Sequence, residues 1–283
     1  MATPLTTAEL GVMKDLVVPL AFEVGRWARR QQVDHHAGRT DFGVSIKTSP
    51  GDVVTLIDLE AQKRIAQALK QAYPTFGLLG EEGLSEFDAK APVWVIDPID
   101  GTHNFVRDYP GFCVSIGLAQ GGESVLGVIY DSASDEVYWA YAGGGAWRGD
   151  ERLTLGEDRP LSHALISTNF TEAMRDDSAQ QSFFVQTSGA SAGVRASGSA
   201  ARDLCFVADG RVDLFWQFGL RAWDVAAGAI IVREAGGVFQ IWSGATDWLR
   251  APQLSVAAGT SGVMSEVGKL AGTLGLIEGS AKS

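Results

Sequence analysis

Two cysteines, four histidines and a deficit of basic residues set the first limits on this 283-residue chain. Cys113 and Cys205 lie far apart, fit no redox or metal spacing, and sit in apolar contexts. They read as buried, reduced thiols of a cytosolic protein, which leaves no place for a disulfide framework. Lys and Arg number 23 against 34 Asp and Glu, a net charge of −11. That balance speaks against a nucleic-acid partner, which needs clustered cations. It does not speak against an anionic substrate, because a bound metal supplies positive charge locally. No apolar run approaches the length of a membrane span. The opening Met1-Ala2-Thr3-Pro4 lacks the basic and apolar regions of a signal peptide. No membrane partner and a cytoplasmic location are therefore expected. Internal repeats and long low-complexity stretches are missing too. Apolar residues make up 46% of the chain and mean hydropathy is +0.05, an ordinary globular composition. The length suits two packed halves. We place them at 1–145, holding a helix pair and an antiparallel sheet, and 146–283, an α/β half.

The stretch Trp94-Val95-Ile96-Asp97-Pro98-Ile99-Asp100-Gly101-Thr102-His103-Asn104-Phe105 organises the rest. It begins as an apolar strand and breaks into two carboxylates, a proline, a glycine and a hydroxyl. Ionised carboxylates at the end of a buried strand need a cationic partner. Only Arg107 is near in sequence, so a divalent cation is indicated, and oxygen-only ligands suit a hard ion, Mg²⁺ or Ca²⁺. Gly101 and Thr102 then offer backbone N–H groups to a phosphate oxygen. An Asp-rich capped turn is the plainer alternative.

Around this stretch the patterning predicts a helix over 7–32 capped by Thr7, then a polar loop from Val33 to Gly43 with a solvated His35-His36 pair. Ser49-Pro50-Gly51-Asp52 is a turn, with Lys47 before it either mobile and able to reach an anion or merely solvated. A second helix opens at Val53 and runs to about Ala72, and Asp58 falls on its buried side. Phe76–Gly80 is a short strand ending in Glu81-Glu82, a second arm for one carboxylate cluster. Strands at 112–119, 124–131 and 136–142 form a meander. Gly143–Gly149 is read as the hinge between the halves. A strand at 164–168, a helix near 171–185, a helix at 200–208 and a strand at 211–218 follow. Asp224 is expected to cap a helix over 225–235 that Gly236 or Gly237 closes. Strands at 238–242 and 254–259 and a helix at 261–274 end the chain.

Four segments resemble one known pattern: Asp52-Val53-Val54-Thr55-Leu56-Ile57-Asp58; Gly80-Glu81-Glu82-Gly83; Asp97-Pro98-Ile99-Asp100-Gly101-Thr102; and Trp223-Asp224-Val225-Ala226-Ala227-Gly228 with Glu234-Ala235-Gly236-Gly237. In order and spacing they resemble the inositol monophosphatase family of Mg²⁺-dependent, Li⁺-sensitive sugar phosphatases. The resemblance implies an α+β fold, a layered αβαβα sandwich of the inositol monophosphatase and fructose-1,6-bisphosphatase type, in a homodimer. It implies two to three Mg²⁺ per subunit. Glu81, Asp97 and the Ile99 carbonyl would hold the first, and Asp97, Asp100 and Asp224 the second. A third would touch Glu81. Thr102 with Asp58 is similar to the pair that orients and deprotonates the attacking water, and the N–H groups of Gly101 and Thr102 would anchor the phosphate. Lys47 lies in the counterpart of the mobile loop that closes over the metals. Asp100, Gly198, Ser199, Ala200, Gln217, Arg221 and Asp224 are the implied substrate contacts.

The sequence departs from the family pattern at the substrate end. Gln217 stands where animal members carry an acidic residue that meets inositol hydroxyls. Arg221 adds a cation near the pocket, which would favour a second anion on the substrate. His103 is read as a neutral variation. Inositol 1-phosphate is the leading substrate. Fructose 1,6-bisphosphate, histidinol phosphate and adenosine 3′,5′-bisphosphate remain alternatives, and a regulatory binding protein that kept the fold is the alternative of another class.

Overall fold

The computed structural model describes residues 3–47, 53–88 and 90–277. The expected turn at Ser49–Asp52 lies outside the described residues. The first helix, α1 (Thr7–His36), is capped by Thr6, one residue before the expected cap. Thr6 and Glu9 satisfy each other's backbone N–H groups in a capping box. The helix also runs on through Val33, His35 and His36, where a loop was expected. Its last turn is held because the His35 ring stacks on the buried Phe42 at 3.6 Å. β1 (Ser45–Ile46) pairs antiparallel with β2 (Val53–Val54), so the second helix, α2 (Leu56–Ala72), starts three residues later than expected. Two β-branched valines favour the strand, and Thr55 caps the helix.

The chain continues through β3 (Gly77–Gly80), β4 (Ser85–Glu86), β5 (Val93–Asp100), α3 (Thr102–Arg107), β6 (Cys113–Gln120), β7 (Glu123–Asp131), β8 (Glu136–Tyr141), β9 (Gly145–Arg148) and β10 (Glu151–Leu153). Then come β11 (Leu165–Ser167), α4 (Ser178–Ala190), β12 (Gly193–Arg195), α5 (Ala200–Ala208) and β13 (Leu214–Leu220). α6 (Ala222–Glu234), β14 (Val238–Ile241), β15 (Leu254–Gly259) and α7 (Ser261–Thr273) complete it. The fourth helix begins at Ser178, not near Thr171, because Asp177 caps it through the N–H groups of Ala179 and Gln180. β12 carried no clear strand signal. Gly143–Gly149 is not a hinge: it turns β8 into β9 within one continuous sheet that runs to Leu153.

One sheet has eight strands in the order β10-β9-β8-β7-β6-β5-β3-β4, antiparallel except for β3 beside β5. The other has five, in the order β12-β11-β13-β15-β14. α1 and α2 cover the outer face of the eight-stranded sheet, and α5 and α6 lie between the two sheets. α4 and α7 close the far face of the five-stranded sheet. This is the layered αβαβα sandwich. The first half of β5 shows why Val93 to Ile96 are all apolar: Trp94 and Ile96 enter the core under α1 and α2, while Val93 and Val95 enter the central core. A strand covered on both faces loses the alternating pattern. α6 approaches the sheet closely because Gly127 faces it. A Cβ there would stand 2.3 Å from the Ala227 carbonyl oxygen. Among the described residues no helix is long and apolar enough to cross a membrane.

Candidate active site

Asp97 and Asp100 are three residues apart, which in an unbroken strand would point them to opposite faces. The ladder between β5 and β6 slips here. Asp97 pairs with Ser115 and Asp100 with Cys113, so three steps on β5 oppose two on β6. Pro98, which has no N–H to give a ladder, sits in this bulge. The extra residue brings the two carboxylates together. Gly80 pairs with Ile96 in the parallel step from β3 to β5, so Glu81 emerges beside Asp97. The fourth acid arrives from α6. Asp224 is not its cap, as expected, but its third residue, and it accepts the Arg221 N–H at 2.7 Å. Asp97, Asp100 and Asp224 each place a carboxylate oxygen within 4.8 Å of the others.

The electrostatics of this group call for a cation. Burial, then the charges of Glu81, Asp100 and Asp224, hold the Asp97 carboxyl well above the usual range. Burial and Asp100 do the same to Asp224. Asp100 is pushed up to about 6 by burial, against donors from Ser199 and Ala201. Those donors come from the start of α5: Ser199 Oγ and the Ala201 N–H both meet Asp100 Oδ2 at 2.6 Å. Four acids with oxygen donors, three of them held up by burial and by one another's charge, fit a hard divalent ion. Lys47 supplies the cation that the chain itself brings. Its Nζ lies 2.9 Å from Glu81 and 2.6 Å from Glu82. Burial opposes the Lys47 ammonium, yet the two glutamates outweigh it and raise its pKa. Glu82, pushed up to about 7 by burial, stands beside Glu81 as the sequence pairs them, and its contact with Lys47 is what the sequence did not show.

Behind the acids, Thr102 Oγ1 is 3.2 Å from Asp58 Oδ1 and 3.1 Å from the Ile99 carbonyl. Asp58 is fully buried and also caps α2 through the N–H and hydroxyl of Thr55. Burial pushes its carboxyl up to about 6. Gly101 has φ +95° at the start of α3, and Ile99 is fully buried. In front of the acids opens a cavity of about 690 Å³, within the range of small-molecule sites. Lys47, Glu81, Asp100 and Asp224 line one side, and Gly198, Ala200, Gln217 and Arg221 also face it. Ser199 is buried with its hydroxyl turned to Asp100. His103 is at the cavity too. Sequence reasoning missed Asn104, whose Nδ2 donates to the carbonyls of Gly111 at 2.7 Å and Ser197 at 2.8 Å and so pins the Gly198 loop. It also missed Asn169 and Arg175 on the cavity wall. Asn104 lay in the organising stretch, whereas Asn169 only comes into play through strand register.

The sequence profile of the inositol monophosphatase family matches residues 14–272. The chain belongs to the inositol monophosphatase family. Family membership makes it a phosphoric monoester hydrolase; the family is generally metal-dependent, and a cluster of acidic residues that could hold a metal ion is present. An inositol-1-monophosphatase of Rhizobium meliloti is 42% identical over 206 residues, 70% of this chain and 77% of the relative. A protein of Xylella fastidiosa named Nus factor SuhB is 39% identical over 201 residues, 71% of this chain and 73% of the relative. The crystal structure of the extragenic suppressor protein SuhB from Bartonella henselae superposes with a TM-score of 0.82 at 32% identity. It covers 95% of this chain and 99% of that one.

Proposed function

We propose that the protein is a Mg²⁺-dependent phosphomonoesterase of small sugar or polyol phosphates, with inositol 1-phosphate as its reference substrate, working as a homodimer with two to three Mg²⁺ per subunit. The observation that carries the reading is the convergence of Asp97, Asp100 and Asp224 within 4.8 Å, with Asp100 and Asp224 lining the cavity. Glu81, Asp97, the Ile99 carbonyl, Asp100 and Asp224 would hold the ions. Bound there, they would neutralise the phosphoryl oxygens, acidify a water and stabilise the leaving alkoxide. The chain's own groups do the rest. The N–H groups of Gly101 and Thr102 anchor a phosphate oxygen. Thr102 orients the attacking water, and Asp58 takes the proton through the Thr102 hydroxyl. Lys47, now 2.9 Å from Glu81, would give up that contact where Glu81 serves as a metal ligand. No covalent intermediate is needed, which agrees with the absence of a cysteine nucleophile in the cavity lining among the described residues.

Relatives named Nus factor SuhB raise a regulatory binding role beside hydrolysis. The full set of acids here supports hydrolysis. The test is phosphate release with Mg²⁺ from inositol 1-phosphate, fructose 1,6-bisphosphate, histidinol phosphate and adenosine 3′,5′-bisphosphate. Release fastest from inositol 1-phosphate supports the reference substrate. Folded protein that releases phosphate from none of them refutes the catalytic reading.

A further inference from the structure

β11 and β13 run parallel, with Ser167 opposite Phe215. Two residues further along each chain stand Asn169 and Gln217. The register therefore sets their side chains side by side, and Asn169 Nδ2 donates to Gln217 Oε1 at 2.9 Å. Alternation along β13 sends Leu214, Trp216 and Phe218 into the outer core and Phe215 into the central one. Gln217 shares the face of Phe215 and so reaches the active cavity. A carboxamide has one acceptor oxygen and one donor nitrogen. With Oε1 engaged by Asn169, the nitrogen is the end left for the substrate. Arg175 and Arg221 line the same cavity and are donors only. Each also has a protein partner: Glu172 stands 3.6 Å from Arg175, and Arg221 donates to the Pro252 carbonyl.

We propose that Asn169 tunes specificity by fixing the Gln217 amide with its donor end toward the substrate, so that phosphate monoesters bearing a second anionic acceptor, a carboxylate or another phosphate, gain on neutral polyol phosphates relative to a pocket with an acceptor at that place. The proposal rests on the phosphatase reading above. An acidic side chain at position 217 would accept from polyol hydroxyls. The Gln217 amide, held as it is, gives a proton instead. A donor meeting an anionic oxygen makes a bond about twice as strong as one between neutral groups. A hydroxyl still has lone pairs to offer that donor, so the discrimination is graded and amounts to about tenfold, the size of one modest hydrogen-bond difference.

The experiment compares kcat/KM for inositol 1-phosphate with that for 3-phosphoglycerate and fructose 1,6-bisphosphate at saturating Mg²⁺. It uses the wild-type protein, Asn169→Asp and Gln217→Glu, with thermal melting as the check on folding. A carboxylate at 169 only accepts, so Gln217 turns its nitrogen to it and its oxygen to the cavity. The ratio of second-acceptor ester to polyol ester should fall about tenfold in Asn169→Asp. It should fall further in Gln217→Glu, with the change carried by KM. Ratios within twofold of wild type in both folded variants overturn the proposal while leaving the phosphatase reading intact. Wild-type protein that turns over none of the esters overturns both.

Discussion

Thr102 Oγ1 lies 3.2 Å from Asp58 Oδ1 across 44 positions of sequence, and the hydroxyl has a second acceptor in the Ile99 carbonyl at 3.1 Å. One hydroxyl proton cannot serve both. Given to Asp58, it leaves the Thr102 lone pairs to receive a proton from water, which is the geometry of a relay. Asp58 meanwhile keeps the Thr55 N–H and hydroxyl on its other oxygen. The carboxylate that would end such a relay therefore also fixes the start of α2.

The two roles separate by mutation. Thr102→Ala should lower kcat by about 10²–10⁴, the usual worth of a positioned acid or base, with a near-normal unfolding midpoint. Thr55→Ala removes the cap hydroxyl and should cost about 1 kcal/mol of stability with much the smaller effect on kcat. Steady-state kinetics and urea unfolding on both variants decide it. A Thr102→Ala enzyme within tenfold of wild-type kcat rules out the relay.

Asp97 touches the other acids from the centre of the group. Asp97→Asn keeps the side-chain volume and removes one of the charges that repel one another. Turnover should fall by on the order of 10³ or more, while the metal-free variant melts at or above the wild-type temperature. Calorimetric titration with Mg²⁺ should show at least one site lost. Wild-type affinity and stoichiometry in this variant would show that Asp97 holds no ion.

Much of this site is legible in the sequence because its signals are local. Apolar strands that end in acids at Glu81 and Asp97 read out directly. The same holds for the small polar run at Ser197–Ser199 and for the helix that Gly236 closes. What is hidden depends on pairings between distant residues. The bulge that brings Asp97 and Asp100 to one side is visible only in the register with β6. Asn169 matters only because β11 runs beside β13. α1 outlasts its expected end because Phe42, beyond the helix, offers His35 a face. The supposed hinge at Gly143–Gly149 failed for a related reason. Glycine marks a turn, and sequence alone does not say whether a turn ends a sheet or extends it.

Asn104 gives a test of a residue that works through another. Its amide ties the carbonyls of Gly111 and Ser197, and Gly198 next to it has φ +80°. Asn104→Ala leaves two carbonyls without their donor, at a cost of about 1–3 kcal/mol. The loop beside the cavity should loosen. KM should rise about tenfold, a factor of 1.4 kcal/mol, with kcat reduced less. Gly198→Ala should cost a similar amount, because a Cβ there sits in the left-handed region and 2.8 Å from Asn104 Oδ1. Unchanged KM in a folded Asn104→Ala enzyme would show that the loop does not need the clamp.

The acids also predict how the metal-free protein responds to pH. Unfolded aspartates titrate near 3.8, whereas burial pushes Asp58 and Asp100 up to about 6 and Asp203 to about 7. Asp97 and Asp224 are raised as well, by burial first. Each raised carboxyl binds a proton more readily folded than unfolded, so stability falls as pH rises through the interval between the two values. Carboxyls shifted the other way, such as Glu9, Asp135 and Asp158, add stability that is present above their unfolded values and lost only as pH falls below them, so they change little between pH 5 and pH 8. Protein stripped with chelator should thus melt at a higher temperature at pH 5 than at pH 8. Mg²⁺ binds the ionised acids and should raise the melting temperature more at pH 8. At 100 times the dissociation constant this linkage is worth about 2.7 kcal/mol. Differential scanning calorimetry at the two pH values, with and without Mg²⁺, reads both effects. A metal-free melting temperature that climbs from pH 5 to pH 8 would mean that the buried acids already have their charges matched within the protein, and the case for an ion at this site would lose its electrostatic basis.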